Sequence, residues 1–336
     1  MRAIRWHARN DVRLDEVPVP DPADTEVLIR IEAVGICGTD VDEVRNGPIT
    51  VPVTAHPANG RSAPITLGHE MVGMVTQAGP GSGVAVGARV APWPSQPCGR
   101  CADCLAGHAN RCSLMVALGM SADGGMADYL VVDGTRCVPL GGDVELERAV
   151  LVEPFAVALH GVHQVDIAGA RVAVVGIGSL GLCVVEAASL AGAAEIVAVS
   201  RAESARHAAL EAGATGALPP DHARDIGADV VFETAGAADA VDTSFGAVRR
   251  GGRIVVLGGH PRPTPIHLLD LVVREITLQG SASHCFADFE AAARSINAGD
   301  LARTRRPVEI AGLEAGPRLL SVDASFAKRI LVPNLS

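Results

Sequence analysis

The sequence predicts an α/β fold in which a doubly wound parallel-sheet region is joined to a small irregular β-barrel. Residues 172–201 give the first indication. Two short apolar runs flank a glycine-rich turn and an Ala- and Leu-rich segment, which is the order of a strand–turn–helix–strand unit. Residues 1–140 give the second indication, because short strand-like segments alternate there with loops containing Pro and Gly. A cysteine-rich loop at residues 98–112 interrupts this second pattern.

The glycine-rich turn has the spacing of a dinucleotide site, with Gly176, Gly178 and Gly181 in the pattern G-x-G-x-x-G. The first glycine of this pattern permits a tight turn, the second lets the backbone approach a pyrophosphate, and the third lets the helix pack on the strand. The pyrophosphate binds free N–H groups at the start of the helix, which falls here at Ser179 and Leu180. The turn and the strands on either side of it therefore predict a nucleotide-binding region.

Composition narrows the class of protein. The net charge is −10 and the chain has no run of Lys or Arg, so nucleic acid is not an expected partner. Residues 172–200 are apolar enough to suggest a membrane span, but their glycines and the central Glu186 disfavour one. Residues 1–11 lack the apolar core of a secretory signal, and eight cysteines without such a signal indicate reduced thiols or metal ligands. We therefore expect a cytoplasmic protein with no membrane partner.

The elements follow one another along the chain. Strand-like segments of the first part are residues 12–14, 27–31, 72–75, 86–90 and the region 124–130, and prolines at 18, 20 and 22 exclude a central strand between the first two. Residues 145–165 are expected to be helical. Further strands are expected at residues 172–175, 196–199, 229–232, 253–257, 276–280 and 328–332, and helices at 238–248 and 289–296.

Four cysteines share one loop: Cys98, Cys101, Cys104 and Cys112. Thiolates at this spacing close a tetrahedral shell, the arrangement of a structural zinc with no open position. A pair of disulfides and a redox pair are alternatives, which a reducing compartment and the presence of four cysteines rather than two disfavour. A zinc ribbon for nucleic acid has similar cysteines, but the acidic net charge opposes it. The loop therefore predicts structural Zn²⁺.

Four motifs occur in one order along the chain: residues 35–40 (Gly-Ile-Cys-Gly-Thr-Asp), residues 68–70 (Gly-His-Glu), the four cysteines and the glycine turn. In this order they resemble the zinc-containing medium-chain alcohol and polyol dehydrogenases over essentially the whole chain. Glu153-Pro154 is similar to the sorbitol and butanediol dehydrogenase branch, and residues 47–64 look most like butanediol dehydrogenases. The resemblance implies a GroES-like catalytic domain at residues 1–152 and 293–336 and a Rossmann nucleotide-binding domain at residues 153–292. It also implies a homodimer or homotetramer.

The same motifs supply donors for a catalytic zinc. Cys37 offers a thiolate, His69 an imidazole, and either Glu70 or Glu153 a carboxylate, which makes three protein ligands with a fourth position open to substrate. As a Lewis acid, such a zinc binds an alcohol oxygen and lowers its pKa, while hydride passes to the nicotinamide. Which glutamate coordinates is left open. The resemblance implies that the hydroxyl of Thr39 begins the proton relay.

Two positions depart from the family pattern. Asp42 stands where many relatives carry the histidine that completes the proton relay, so the exit route of the proton is open. Ala88 replaces an acidic residue often found in Gly-x-Arg-Val, which affects only a local loop interaction. Three cysteines, Cys137, Cys183 and Cys285, carry no motif and are expected in the core.

The choice of cofactor is predicted at the end of the second strand of the dinucleotide unit. In NAD-binding forms an Asp or Glu there accepts from the ribose 2′-OH, but here the position falls on Ser200, followed by Arg201. The Arg201 guanidinium can bind the oxygens of a 2′-phosphate, and Arg206 adds to the same patch. We therefore expect NADP(H) in preference to NAD(H). The alternative is that Arg201 points to solvent and backbone groups bind the ribose.

Together these features predict an enzyme, a zinc-dependent oxidoreductase that transfers hydride between a nicotinamide cofactor and a secondary alcohol or ketone, such as a small vicinal diol or polyol. A sugar or cyclitol dehydrogenase of a specialised pathway is the alternative within the same chemistry. A catalytically silent nucleotide-binding or sensor protein and a zinc-free quinone or enoyl reductase are alternatives of other classes. Neither of these has a use for Cys37, His69, Glu70 and Glu153.

Overall fold

A computed structural model of the chain describes residues 1–260, 263–301, 307–322 and 328–335. The chain divides into two compact units. The first comprises Met1–Glu153, Cys285–Ala298 and Val308–Ser336, and the second comprises Pro154–His284 and Gly299–Pro307. Each unit has its own cluster of buried apolar side chains. The functional domain boundaries expected from the sequence stay a prediction.

The first unit begins with mostly short strands. In chain order its elements are β1 (Arg2–Ala8), β2 (Asp11–Glu16), β3 (Glu26–Gly35), α1 (Gly38–Asn46), β4 (Ile65–Thr66), β5 (Glu70–Ala78), β6 (Arg89–Pro92), β7 (Ser95–Gln96), α2 (Ala102–Leu105), β8 (Val116–Ala117), β9 (Tyr129–Asp133), β10 (Cys137–Pro139) and α3 (Leu146–Ala149).

Helices and strands then alternate through the second unit before the chain returns to the first. The elements are α4 (Val152–His163), β11 (Arg171–Val175), α5 (Ser179–Leu190), β12 (Glu195–Val199), α6 (Glu203–Glu211), β13 (Gly216–Leu218), β14 (Ala228–Glu233), α7 (Ala238–Ala247), β15 (Val248–Val256), α8 (Leu268–Val273) and β16 (Thr277–Gly280). The chain ends with α9 (Phe286–Ala298), β17 (Val308–Ala311), α10 (Gly316–Ser321) and β18 (Lys328–Leu331).

Strand β3 is the centre of the first unit. It pairs antiparallel with β5, β9 and β18, and the described sheet runs in the order β10-β6-β5-β3-β18-β17. Most of its side chains are buried, because the strand is covered on both faces. Its last residue, Gly35, lies opposite Glu70 of β5 and Ile330 of β18. This register brings three distant segments of the chain to one end of β3.

The second unit contains a parallel sheet whose described strands run in the order β13-β12-β11-β14-β15-β16. The order reverses between β11 and β14, which makes that place the topological switch point of a doubly wound sheet. The central strands are continuous apolar runs, as expected for strands covered by helices on both faces. The doubly wound parallel sheet predicted from the sequence is therefore confirmed.

Most of the predicted elements are present, and three were placed imperfectly. The strand expected in the region 124–130 begins only at Tyr129. The strand expected at 86–90 begins only at Arg89, because Val86 and Gly87 form a turn in which Gly87 has φ of +87°. The helix expected at 145–165 is two helices, α3 and α4. Helices α1, α2, α6, α8 and α10 were not predicted. Among the described residues no helix has the length and apolarity needed to cross a membrane.

Candidate active site

Three chain segments meet at the end of β3. Cys37 follows β3 and is the N-cap residue of α1, with an extended backbone. His69 precedes β5, and Glu70 is its first residue. The backbone of Ile36 donates to the carbonyl of Arg329, so β18 continues the pairing up to the residue before Cys37. Strand register therefore places the predicted donors next to one another.

The donor atoms of this cluster are close enough to share one ion. Cys37 Sγ, a ring nitrogen of His69 and a carboxylate oxygen of Glu70 all lie within 4.8 Å of one another. His69 and Glu70 are buried and Cys37 is partly exposed. A thiolate, an imidazole and a carboxylate are the ligands that a catalytic zinc takes while keeping one position open. The donor set thus fits zinc.

Asp40 supports two of these donors. Its Oδ2 accepts from the backbone N–H of Cys37 at 2.9 Å, and its Oδ1 lies 3.5 Å from Nδ1 of His69. Burial lowers the pKa of His69, but the charges of Asp40 and Cys37 outweigh burial and raise that pKa well above its usual range. A carboxylate behind a ligating histidine fixes the orientation of the ring. Sequence reasoning missed Asp40; the available signal was its place three residues after the N-cap.

Lys328 was also missed. Its Nζ donates to Oε2 of Glu70 and, at 3.2 Å, to the carbonyl oxygen of Ile36. Both Lys328 and Glu70 are almost completely buried. Gly35 leaves room for this ion pair, because a Cβ at that position would lie 2.2 Å from Oε2 of Glu70. Lys328 is not part of a recognisable motif. The sequence distinguishes it only as the one lysine of the chain.

Glu153 lies near the cluster but is not one of the three grouped donors. It is in the first turn of α4 and keeps some exposed surface. Burial nevertheless raises its pKa to about 7, an effect that His69 opposes and Glu70 reinforces. Of the two glutamates left open by the sequence, the geometry groups Glu70 with Cys37 and His69.

The two residues considered for proton transfer are both on α1. Thr39 Oγ1 lies 3.6 Å from Cys37 Sγ, so the hydroxyl is beside the donor cluster. Asp42 is partly buried, and burial raises its pKa while Arg45 lowers it. No hydrogen bond between Thr39 and Asp42 is present among the described contacts.

The cysteine-rich loop folds into a second donor cluster. The Sγ atoms of Cys98, Cys101, Cys104 and Cys112 all lie within 4.8 Å of one another, which fits the tetrathiolate shell of a structural zinc. The backbone N–H groups of the loop favour thiolates. Those of Arg100 and Cys101 lower the pKa of Cys98 to about 6, and that of Cys104 lowers the pKa of Cys101. Burial raises the pKa of Cys104 to about 12.

Outside both clusters, Cys183 is buried as expected, whereas Cys137 and Cys285 are only partly buried.

The glycine turn fits a pyrophosphate. Helix α5 begins at Ser179, directly after its N-cap residue Gly178. The space at Gly178 is open, since a Cβ there would meet nothing within 4 Å. Gly181 is buried against the turn, where a Cβ would lie 2.0 Å from the carbonyl oxygen of Gly176. Leu180 follows in the first turn of the helix. An anion can therefore approach the backbone at the start of α5.

The segment after β12 carries the residues expected to select the cofactor. Ser200 directly follows the strand, and the Arg201 side chain is 83% exposed, 3.8 Å from Asp239. Nη1 of Arg206 donates to the carbonyl oxygens of Ser200 and Arg201, each at 2.8 Å. Arg206 thus holds the backbone of this segment in place.

Comparison with known proteins agrees with this architecture. The chain matches the alcohol dehydrogenase GroES-like domain family over residues 23–142 and the zinc-binding dehydrogenase family over residues 179–298. It is 33% identical to (R,R)-butanediol dehydrogenase of Bacillus subtilis (strain 168), over 83% of this chain and 84% of that protein. It is 32% identical to sorbitol dehydrogenase of the same organism, over 83% and 81%. The structure of a protein described as a zinc-binding dehydrogenase from Sinorhizobium meliloti 1021, bound to NADP, superposes with a TM-score of 0.89 at 31% identity and covers 99% of both chains.

The fold and the two donor clusters define a zinc- and nicotinamide-dependent oxidoreductase. The chain belongs to the zinc-containing medium-chain alcohol and polyol dehydrogenases. The GroES-like and Rossmann architecture predicted from the sequence is confirmed. The protein is accordingly an enzyme that acts on a small-molecule alcohol or ketone.

Proposed function

We propose that the enzyme interconverts a secondary alcohol of a small vicinal diol or polyol with the corresponding ketone, using NADP(H). The grouping of Cys37, His69 and Glu70 donor atoms within 4.8 Å carries this proposal, because it provides a site for an ion with an open position. The butanediol and sorbitol dehydrogenases among the relatives support the substrate class.

The chain's own residues have distinct roles at this site. Cys37, His69 and Glu70 hold the zinc, which when bound supplies Lewis-acid polarisation of the substrate oxygen. Asp40 orients His69, and Lys328 neutralises one oxygen of Glu70. Glu153 lies next to this group, and its carboxylate can replace that of Glu70 as a zinc ligand. The hydroxyl of Thr39 relays the proton of the substrate alcohol: it accepts this proton while its own proton passes on to water, and its place beside the donor cluster suits that role.

The cofactor is held by the second unit. The start of α5 at Ser179 and Leu180 binds the pyrophosphate, because the space beside Gly178 is open, and the bound nicotinamide would supply hydride chemistry. Ser200 and Arg201 bind the 2′-phosphate of NADP(H), and Arg206 positions them. The absence of a carboxylate at position 200 and the NADP bound to a relative of 31% identity support this preference.

The cysteine-rich loop is proposed to hold a second zinc whose role is structural. Four thiolates leave no position open to substrate, so this ion contributes to folding rather than to the reaction. The grouping of cysteines as metal donors supports a reducing compartment, and we propose the cytoplasm as the place of action.

A homodimer is proposed through the edge of the parallel sheet in the second unit. Strand β16 is an edge of the described sheet, and the preceding helix α8 exposes four large apolar side chains: Leu268, Leu269, Val272 and Val273. Apolar side chains beside an unpaired strand edge mark a protein interface. A second copy brings the same edge and the same helix, so a two-fold contact is self-complementary.

A substrate screen tests the proposed function. Vicinal diols, hydroxyketones, sugars and cyclitols are offered with NADP⁺ or NAD⁺, or with their reduced forms, and the absorbance of the reduced nicotinamide is followed. We expect turnover of small vicinal diols or polyols. Activity confined to sugars or cyclitols would move the substrate class to the alternative. Cofactor binding without turnover of any alcohol would indicate a silent nucleotide-binding protein.

A further inference from the structure

A fully buried carboxylate lies beside the glycine turn and has no role in the chemistry described above. Glu233 is the last residue of β14, opposite Val175 of β11 on one side and Val256 of β15 on the other. It therefore lies at the carboxyl edge of the sheet, level with the residue that precedes Gly176. In doubly wound sheets this edge is where ligands bind.

Glu233 joins the segments that follow β14 and β15. Its Oε1 accepts from the backbone N–H groups of Ala235 and Gly236 at 2.8 and 2.9 Å, and its Oε2 lies 2.9 Å from Nε2 of His260. Its backbone carbonyl accepts from the N–H groups of residues 257 and 258 at 2.8 and 3.0 Å. A buried carboxylate needs such partners, because removing it from water is costly. One residue thus receives hydrogen bonds from both segments.

The two segments also touch backbone to backbone. A Cβ at Gly236 would lie 2.3 Å from the carbonyl oxygen of Gly259, and one at Gly258 would lie 2.3 Å from the N atom of Gly236. The first segment packs on the glycine turn as well, since a Cβ at Gly176 would lie 2.5 Å from Cβ of Ala235. Any displacement of either segment therefore reaches the nucleotide-binding turn.

His260 contacts both Glu233 and Thr264. While one ring nitrogen faces Glu233, Nδ1 lies 3.3 Å from Oγ1 of Thr264. The ring is mostly but not fully buried. A carboxylate behind an imidazole fixes both the tautomer and the orientation of the ring.

We infer that Glu233 and His260 position the nicotinamide half of the cofactor. The inference rests on the proposed function and follows from the topology. A dinucleotide lies across the switch point with one nucleotide on each side. Ser200 and Arg201 follow β12, so they mark the side of the switch point where the proposed 2′-phosphate binds. The segments after β14 and β15 lie on the other side, where the nicotinamide nucleotide would bind. His260 is a positioning residue that holds these segments in the geometry that receives the second nucleotide.

Binding measurements test this inference without relying on catalysis. Calorimetric titration compares NADPH with adenosine 2′,5′-bisphosphate, which contains only the adenosine half. NADH and 5′-AMP are titrated in parallel, so that the result does not depend on the phosphate preference. We expect His260→Ala to weaken NADPH binding by about tenfold or more, the usual value of a hydrogen bond to a charged group. Binding of the bisphosphate should stay unchanged.

Two further variants make the test specific. His260→Gln keeps a donor toward Glu233 and should recover most of the affinity for NADPH. The matched control is His222→Ala, because His222 is an exposed histidine of the same unit that precedes β14 at the opposite edge of the sheet. The inference would be overturned if His260→Ala lost as much affinity for the bisphosphate as for NADPH, and as much for 5′-AMP as for NADH. It would also be overturned if this variant lost no affinity at all. If the native protein bound neither NADPH nor NADH, the proposed function itself would fail along with it.

Discussion

Lys328 Nζ donates to Oε2 of Glu70 in the interior of the first unit, and this contact joins β18 to the strand that carries a proposed metal ligand. The same ammonium group donates to the carbonyl of Ile36, immediately before Cys37. A single cation thus supports both segments that carry the proposed zinc ligands. The other carboxylate oxygen of Glu70 would remain for a bound ion.

Replacement of Lys328 by Met should destabilise the first unit. Breaking a buried pair leaves a carboxylate without its cation, which costs about 3–5 kcal/mol. The two tryptophans, Trp6 and Trp93, are both buried in this unit, so urea unfolding followed by tryptophan fluorescence reports on it. Lys328→Arg keeps the charge and should recover much of the loss. Equal stability of the Met variant and the native protein would show that Glu70 is not held as a buried anion.

Metal analysis should separate the two donor clusters. We expect two zinc ions per native chain, and Cys37→Ser should remove one together with activity while leaving the fold intact. Cys101→Ser should instead destabilise the protein, because a structural zinc contributes folding free energy. Cys137→Ser is the matched control, since this thiol lies outside both clusters and burial raises its pKa to about 12. A single zinc that survives Cys37→Ser would refute the assignment.

Removal of the Thr39 hydroxyl should slow the reaction. Thr39→Val is expected to lower turnover by roughly 10²–10⁴, the usual effect of losing a positioned proton-transfer group. Thr39→Ser keeps the hydroxyl and should retain most of the activity, while the zinc content of both variants stays at the native value. Asp42→Ala tests the next position of the relay. An unchanged pH–rate profile in that variant means that the proton leaves by another route.

Cofactor preference should follow Ser200 and Arg201. Charge-assisted contacts with a 2′-phosphate predict a preference for NADP(H) of roughly tenfold or more in kcat/KM. The double variant Ser200→Asp with Arg201→Ile should reverse it, because a carboxylate there repels the phosphate and accepts from the ribose hydroxyl. Arg224→Ile, an exposed arginine elsewhere in the same unit, is the control. Retention of the NADP preference by the double variant would show that these two residues do not select the cofactor.

Asp128→Asn should lower the thermal stability of the first unit at neutral pH but not in acid. Burial raises the pKa of Asp128, but hydrogen bonds from Arg2 outweigh burial and hold that pKa below its ordinary value of 3.8. A carboxyl group whose pKa is lowered by folding adds stability above its unfolded pKa and loses it as the pH falls through the folded pKa.

The difference in unfolding temperature should be roughly 2–4 °C at pH 7, corresponding to about 1 kcal/mol in a unit of this size. It should shrink steadily below about pH 4. Asp24→Asn, at an exposed aspartate of the same unit, should have no such effect. A difference that persists undiminished at pH 2.5 would exclude the ion pair as its cause.

Sequence reasoning alone was sufficient for the nucleotide-binding turn and for the parallel strands around it. The pattern from Gly176 to Gly181 is local, so the spacing of its residues along the chain was enough to identify the turn and the start of its helix. The same holds for the loop from Cys98 to Cys112, whose thiols come together within a few residues of chain. Resemblance of the motifs around Cys37 and His69 to a known family extended this local information to the proposed site.

Tertiary structure decided which residues surround those motifs. Lys328 and Glu70 are 258 positions apart, and nothing local predicts their contact, because it depends on β18 pairing with β3. Likewise, Glu233 and His260 meet only because β14 and β15 are neighbours in the sheet. The sequence by itself thus determined the metal-donor types and the nucleotide turn, whose spacing is set within short stretches of chain. Strand register decided which buried charged residues pair beside these motifs. A buried charge is stabilised by whichever partner the fold brings within hydrogen-bond distance.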